Sequence, residues 1–298
     1  DTPEASFDRQ KMNTYIQKLN EAQRFMGTVD IDSTGRDVYD HSVGFISTQG
    51  DTVMADHQTM YRIGSITKTF TATMIIQLVD EGKLSLSTKL RDFYPGIPQS
   101  DSITMEHLLR HQSGIRNVSG STLPREWLTE TPTKQQKLDL FRSLEPVFDP
   151  GATTRYSNTN FALLGLIIED ITGESYAAQL QHRIAEPLGL RRTRYGGRID
   201  VRQNEAASFR FDQSRWEKRS AIDLRIPGGA GGVVSTPDDL TDFIHGLFEA
   251  GLVSQASLER MTDLQDGMGM GLYELESPTA FALGHRGGID GFRSHLAY

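Results

Sequence analysis

Residues 61–90 read YRIGSITKTFTATMIIQLVDEGKLSLSTKL, and a change of period inside this stretch decides the fold. After Gly64, the residues Phe70, Met74, Ile75, Leu78 and Val79 form an apolar stripe at helical spacing that stops near Gly82, so a long buried helix begins at Ser65. Ser65-Ile66-Thr67-Lys68 is therefore an S-x-x-K spacing at a helix N-terminus, where positions i and i+3 share a face and the Lys68 amine can reach Ser65 Oγ. A serine hydroxyl is a weak nucleophile until a neighbour accepts its proton, and a desolvated lysine of lowered pKa can be that acceptor. The helix start adds backbone N–H groups and positive potential where an oxyanion would form. Alone the spacing is a weak signal, because about one S-x-x-K arises by chance in a chain of this size.

Working outward, residues 7–25 place Met12, Ile16 and Leu19 at helical spacing. Residues 25–31 and 38–46 read as a β-hairpin joined by the turn formers of 32–37. The middle of the chain, 85–225, carries helical runs at 105–112 and 159–173 between Gly and Pro punctuation, with little strand character. Residues 235–251 begin with a capping hydroxyl and an acidic first turn, another helix, and 268–276 with 279–288 read as a second strand pair. The expected fold is α+β: one antiparallel sheet assembled from both chain ends and flanked by helices, formed by 1–84 and 226–298, with a mostly helical domain of 85–225 inserted.

Composition narrows the function. The 298 residues are 37% hydrophobic and 23% charged, with a net charge of -8, which argues against a nucleic-acid partner. No run of about 18 apolar residues exists, since Asp80 and Glu81, and Glu169 and Asp170, break the best candidates, so no transmembrane segment is expected. The absence of cysteine excludes disulfides and thiolate chemistry. The chain starts at Asp1 without a leader, consistent with a removed signal peptide or a chosen boundary.

Two further clusters carry chemistry. Tyr156-Ser157-Asn158 lies 91 residues after Ser65. A tyrosine beside a cationic lysine can have its phenol pKa lowered and act as base or proton shuttle, and the Asn158 amide can hold a substrate carbonyl. The plain alternative is a turn that caps the following helix at Asn158 or Thr159. His285-Arg286-Gly287-Gly288 falls in the second strand pair, where an imidazole supplies polarity and small residues let substrate approach the backbone; a glycine-rich bulge is the plain alternative.

Read jointly and in order, these elements resemble the superfamily of serine β-lactamases, penicillin-binding proteins and related esterases, known by its S-x-x-K fingerprint. The resemblance extends to 104–115 (TMEHLLRHQSGI), 150–176 (PGATTRYSNTNFALLGLIIEDITGESY), 186–193 (EPLGLRRT), 228–244 (GGAGGVVSTPDDLTDFI) and 284–292 (GHRGGIDGF), most of the chain from Tyr61 to Phe292. It implies Ser65 as the acylated nucleophile, Lys68 as its proton partner, Tyr156 as base, and Asn158 as a substrate-amide contact. It also implies His285 and Gly287 in the third element, and an oxyanion hole of the Ser65 and Gly288 N–H groups. It implies no cofactor, and a small-molecule or peptide substrate, peptidoglycan-derived or a β-lactam, met in a bacterial periplasm or outside the cell.

The departures matter as much. His285 stands where many β-lactamases and penicillin-binding proteins carry lysine, which favours the esterase, D-aminopeptidase and class C-like branch. Arg286 is unusual at its position; it either takes a substrate carboxylate bidentately or points to solvent. Glu145 and Asp149 do not reproduce the deacylating loop of class A enzymes. Relatives continue past the third element, so the His285 strand is expected to leave an unpaired edge, the sequence being a fragment or the remaining elements being disordered or supplied by another chain. His107 and His111 share a helix face but lack a third ligand, and no metal is expected. The reading that emerges is a serine hydrolase acting on D-amino-acid peptides, amides or small esters, with a class C-like β-lactamase as its alternative. A catalytically weak binding homologue is the alternative of another class, disfavoured because a pure binder has no need of Ser65, Lys68, Tyr156, Asn158 and His285 together.

Overall fold

A computed structural model describes residues 7–33, 35–48, 52–212, 214–276 and 281–298. Helix α1 (Arg9–Glu21) starts where the Asp8 carboxylate accepts the Lys11 N–H and turns Ile16 inward. Strands β1 (Gly27–Asp32) and β2 (Asp37–Val43) then pair antiparallel from Gly27↔Val43 onward, and β3 (Phe45–Ser47) pairs with β4 (Val53–Met54). Strand β5 (Tyr61–Arg62) leads into a 3-10 turn, Gly64–Ile66, and helix α2 (Thr67–Asp80).

Helix α2 is buried on every side from Thr67 to Ile76, more completely than the expected apolar stripe. Its threonines tolerate this because each hydroxyl has a partner: Thr69 donates to Gly271 O at 2.8 Å, Thr71 to Gly229 O at 2.7 Å, and the Thr67 hydroxyl accepts from Val233 N at 3.1 Å. Helices α3 (Met105–Leu109), α4 (Lys134–Arg142), α5 (Asn158–Thr172), α6 (Tyr176–Leu180) and α7 (Glu186–Leu188) follow. Strands β6 (Arg194–Tyr195), β7 (Phe209–Asp212), β8 (Arg215–Lys218) and β9 (Val233–Ser235) come next, then α8 (Pro237–Phe248) and α9 (Gln255–Thr262). The described chain closes with β10 (Tyr273–Leu275), β11 (Ala282–Ile289) and β12 (Phe292–Ala297).

Three features differ from the expectation. The strands of the two chain ends form separate ladders, β1-β2 and β10-β11-β12, and α8 packs against both instead of the ends pairing in one sheet. The middle segment holds a β7-β8 hairpin and the short β6, which pairs with β9 in the order β5-β9-β6. The strand bearing His285 has no open edge, because β11 pairs with β10 on one side and β12 on the other. Asp290 and Gly291, with φ of +49° and +88°, make the two-residue turn that lets Ile289 and Phe292 close this hairpin. Part of the expected second strand pair, residues 277–280, and residue 34 of the first turn lie outside the described residues.

One hydrophobic cluster runs from Ile63 to Leu296, and at its centre Phe70 of α2 stacks on Phe243 of α8 with ring centroids 3.6 Å apart. Both rings are fully buried. Phe243→Ala is expected to lower unfolding free energy by about 3–5 kcal/mol in urea denaturation followed by circular dichroism. A loss under about 1 kcal/mol would mean that the α2–α8 contact does not organise the core.

Candidate active site

Gly64, with φ of +51°, turns the chain sharply after β5, and Ser65 follows inside the 3-10 turn with Lys68 one turn on. Lys68 is fully buried, and its Nζ lies 3.1 Å from Ser65 Oγ, 2.8 Å from Asn158 Oδ1 and 2.6 Å from Ala230 O. Burial alone holds the amine far below the ordinary lysine value, since no carboxylate pairs with it. A neutral amine has two N–H donors and one lone pair. The two oxygens of Asn158 and Ala230 accept the donors, and the lone pair is left to face the Ser65 hydroxyl.

Asn158 is held for this by Asn117, whose Oδ1 accepts both the Asn158 backbone N–H at 2.7 Å and its Nδ2–H at 3.0 Å. The amide expected to meet a substrate carbonyl is thus engaged with Lys68 and Asn117. Asn117 itself carried no signal in the sequence.

The Tyr156 hydroxyl donates to Ser65 Oγ at 2.9 Å. Its pKa moves opposite to the expectation: burial pushes it well up, and the hydrogen bond to Ser65 only partly offsets this. The expected lowering required a cationic lysine, and burial disfavours the charged form of Lys68. Beneath Tyr156 lies His111, buried and neutral, with ring centroids 4.5 Å apart; its Nδ1 accepts the Ser157 N–H at 3.1 Å. His111 therefore supports Tyr156, while His107 accepts the Thr104 N–H in the capping box of α3. Among the described residues no cluster of three His, Cys, Asp or Glu could hold a metal.

The His285–Gly288 segment is set against the Ser65 turn by close backbone packing. A Cβ on Gly287 would stand 2.0 Å from Ile63 O and 2.1 Å from Ser294 Oγ, and one on Gly64 would stand 2.8 Å from Gly288 N. Leu283 and Tyr298 exchange backbone hydrogen bonds. Alternation along the antiparallel pair then turns the Arg286 and Gly288 N–H groups away from β12. The Arg286 N–H is taken by the Tyr273 hydroxyl at 2.9 Å, whereas Gly288 N faces the Gly64–Ser65 turn.

His285 is buried and its pKa is driven down to about 3, by burial first and by Lys68 second. Its Nδ1 sits 2.7 Å from Arg286 O, so the neutral ring donates there and keeps Nε2 as an acceptor. Arg286 is exposed. The fully buried Arg62 fastens the arrangement, with Nη1 donating to Asp290 Oδ2 at 2.8 Å and Nη2 to Gly197 O at 2.9 Å.

A cleft of about 640 Å³ opens beside these groups, walled by Tyr156, Tyr273 and Met268 and bordered by Asp266, Glu274 and Glu276. Tyr273, unremarked in the sequence, joins the cleft to the third element: its ring packs 4.5 Å from the His285 ring.

A family model described as Beta-lactamase matches residues 12–298. Penicillin-binding protein 4* of Bacillus subtilis is 28% identical over 268 residues, covering 84% of this chain and 58% of that protein. The chain thus spans about three fifths of that relative's length. The D-amino acid amidase of Ochrobactrum anthropi, solved with D-phenylalanine, superposes with a TM-score of 0.83 at 25% identity over 96% of this chain and 87% of that one. A D-stereospecific amidohydrolase from Streptomyces is 31% identical, with a TM-score of 0.69, over 78% of this chain and 76% of that one.

The electrostatics of Lys68 can be read directly by carbon NMR of lysine side chains, with Lys68→Arg to assign its signal. One Cε resonance is expected to titrate far below the others, so that the amine is uncharged at neutral pH. A midpoint near 10.5 would overturn the neutral-amine assignment.

Proposed function

The chain belongs to the beta-lactamase family, and from that membership and the geometry at Ser65 we propose a serine hydrolase that forms an acyl-enzyme on D-amino-acid peptides, amides or small esters. The observation that carries the reading is the bracketing of Ser65 Oγ by the Lys68 amine at 3.1 Å and the Tyr156 phenol at 2.9 Å, one a base and the other an acid. A binding homologue would have no use for a buried, unpaired amine, whose maintenance costs stability.

In the proposed reaction the Lys68 amine takes the Ser65 proton as Oγ attacks the substrate carbonyl carbon. The oxyanion is met by the Ser65 and Gly288 N–H groups, each such donor being worth about 10²–10³ in rate. Tyr156, protonated because it is buried, gives its proton to the departing amine or alkoxide and regains one from the Lys68 ammonium. The C–O or C–N bond of the substrate breaks, and Ser65 carries the acyl group until water, deprotonated by the same pair, releases the acid. The site would draw Ser65, Lys68 and His285 from the sheet-plus-helix part (1–84 and 226–298) and Tyr156 and Asn158 from the helical insertion (85–225).

The substrate end is argued from charge. Asp266, Glu274 and Glu276 border the cleft, and neutral His285 takes the place of the lysine that many relatives carry. Such a wall favours an ammonium over a carboxylate, and so a D-amino-acid amide or peptide with a free amino group over a β-lactam or a peptide C-terminus. The D-amino acid amidase and D-stereospecific amidohydrolase likenesses support the same branch. A bacterial periplasmic or secreted setting is proposed with it, supported by the Bacillus penicillin-binding relative. No helix among the described residues is long and apolar enough to cross a membrane.

On p-nitrophenyl acetate, Ser65→Ala is expected to abolish turnover and Gly287→Ala to cut it at least about a hundredfold, because its Cβ would push β11 and the Gly288 N–H away. Wild-type kcat/KM should fall as pH drops through the depressed Lys68 pKa, since the base must be uncharged, and so hold its plateau at pH values where an ordinary lysine is still protonated. Ser65→Ala with full activity would refute the assignment. A D-phenylalanine amide with a free amine is expected to exceed its N-acetyl form at least about tenfold in kcat/KM. The reverse preference, or rapid turnover of a fluorescent penicillin followed by intact mass, would transfer the assignment to the carboxypeptidase or β-lactamase branch.

A further inference from the structure

A second concavity, about 710 Å³, lies away from the Ser65 cleft, and its wall includes Arg191, Arg192, Arg194 and Arg202 without an Asp or Glu among its lining residues. On a chain with 31 basic against 39 acidic residues this is a concentrated positive field. The charge is only partly met from behind the wall. Arg202 is held bidentately by Asp200, Nε donating to Oδ1 at 2.9 Å and Nη2 to Oδ2 at 3.2 Å, and Arg194 Nη2 donates to Glu205 Oε2 at 2.9 Å. Yet Glu205 is shared, because its Oε1 also stands 3.6 Å from the buried Arg62 Nε, and Arg194 Nε is buried with no acceptor.

Arg192 reaches only a neutral amide, Gln58 Oε1, at 3.1 Å, and the exposed Arg191 side chain has no ion pair or hydrogen bond among the described residues. Their backbone is fixed: Asp239 Oδ2 accepts the Arg192 N–H at 2.8 Å and the Thr193 hydroxyl at 2.7 Å. Strand β6 pairs with β9 directly behind. The forks are thus carried on a rigid base beside Tyr195, whose ring rests 5.0 Å from that of Tyr176.

We propose that this concavity binds a phosphate group, carried as an ester on a small polyol or sugar. Several guanidinium forks on one wall suit a tetrahedral anion with three or more acceptor oxygens better than a planar carboxylate. The space, about 710 Å³, exceeds what a bare phosphate fills, and Tyr195 and Met60 in its lining leave room and apolar surface for the attached body.

Isothermal titration at fixed ionic strength tests this with glycerol 3-phosphate, inorganic phosphate and acetate. The proteins are wild type, Ser65→Ala, an Arg191→Gln/Arg192→Gln double variant, and Arg191→Glu, which alters only an unpartnered exposed residue. Glycerol 3-phosphate is expected to bind one to one in wild type and in Ser65→Ala alike, which separates this site from the hydrolase reading. The double variant and Arg191→Glu should each weaken it at least about tenfold, and acetate should show no saturation. Inorganic phosphate binding more weakly than the ester supports the ester, and equal binding supports the phosphate assignment with free phosphate as the source. No saturable binding in wild type, or unchanged affinity in both variants, would overturn the proposal.

Discussion

An amine sealed in the interior with no carboxylate beside it is the constraint from which the rest of this structure follows. Left as an isolated ammonium, Lys68 would carry an uncompensated charge into a low-dielectric core, so burial drives it towards the neutral amine. A neutral amine then needs two acceptors and one donor at fixed positions. Ala230 O and Asn158 Oδ1 supply the first two, and Ser65 is left as the third. Keeping water out requires that α2 be enclosed on all sides, which its threonines permit only because their hydroxyls are matched to backbone carbonyls of the surrounding turns.

The same burial explains where sequence reading succeeds and where it stops. Ser65 and Lys68 were legible as a pair because their spacing puts them on one turn, whereas Tyr156 and His285 were reached only through the family resemblance. What each group does with a proton was not legible, since that depends on enclosure by residues far along the chain. Tyr156 was read as a phenol made acidic by a cationic lysine, and enclosure of both reverses the sign. Asn117, from a distant loop, gave no signal, yet its Oδ1 holds the Asn158 amide whose Oδ1 meets Lys68. His111 was set aside as a metal ligand, but its place as a floor for Tyr156 was not foreseen.

The fold shows the same division. Long periodic segments were legible, including α2, α5 and α8. Strand pairing was harder, because partners are chosen by contacts the sequence does not display. The Asp290-Gly291 pair was a hairpin signal in plain view, and reading it would have revealed β12 and a paired β11. The division into a β1-β2 ladder and a β10-β11-β12 ladder, with α8 packed against both, had no local signature at all. Nor does a net charge of -8 disclose that one concavity is bordered by carboxylates and another by guanidiniums, since an average erases both.

The grip of Arg62 on Asp290 spans 228 positions of the chain, and the hydroxyl of Ser294 reaches back slightly farther, 231 positions, to Ile63 O. Translation proceeds at about 5–20 residues per second, so this lag is on the order of ten to fifty seconds. Throughout that interval the segment bearing Ser65 has already emerged from the ribosome without its opposing strand. A nascent chain of this kind carries Ser65 for that interval without the β11-β12 hairpin that packs against its turn.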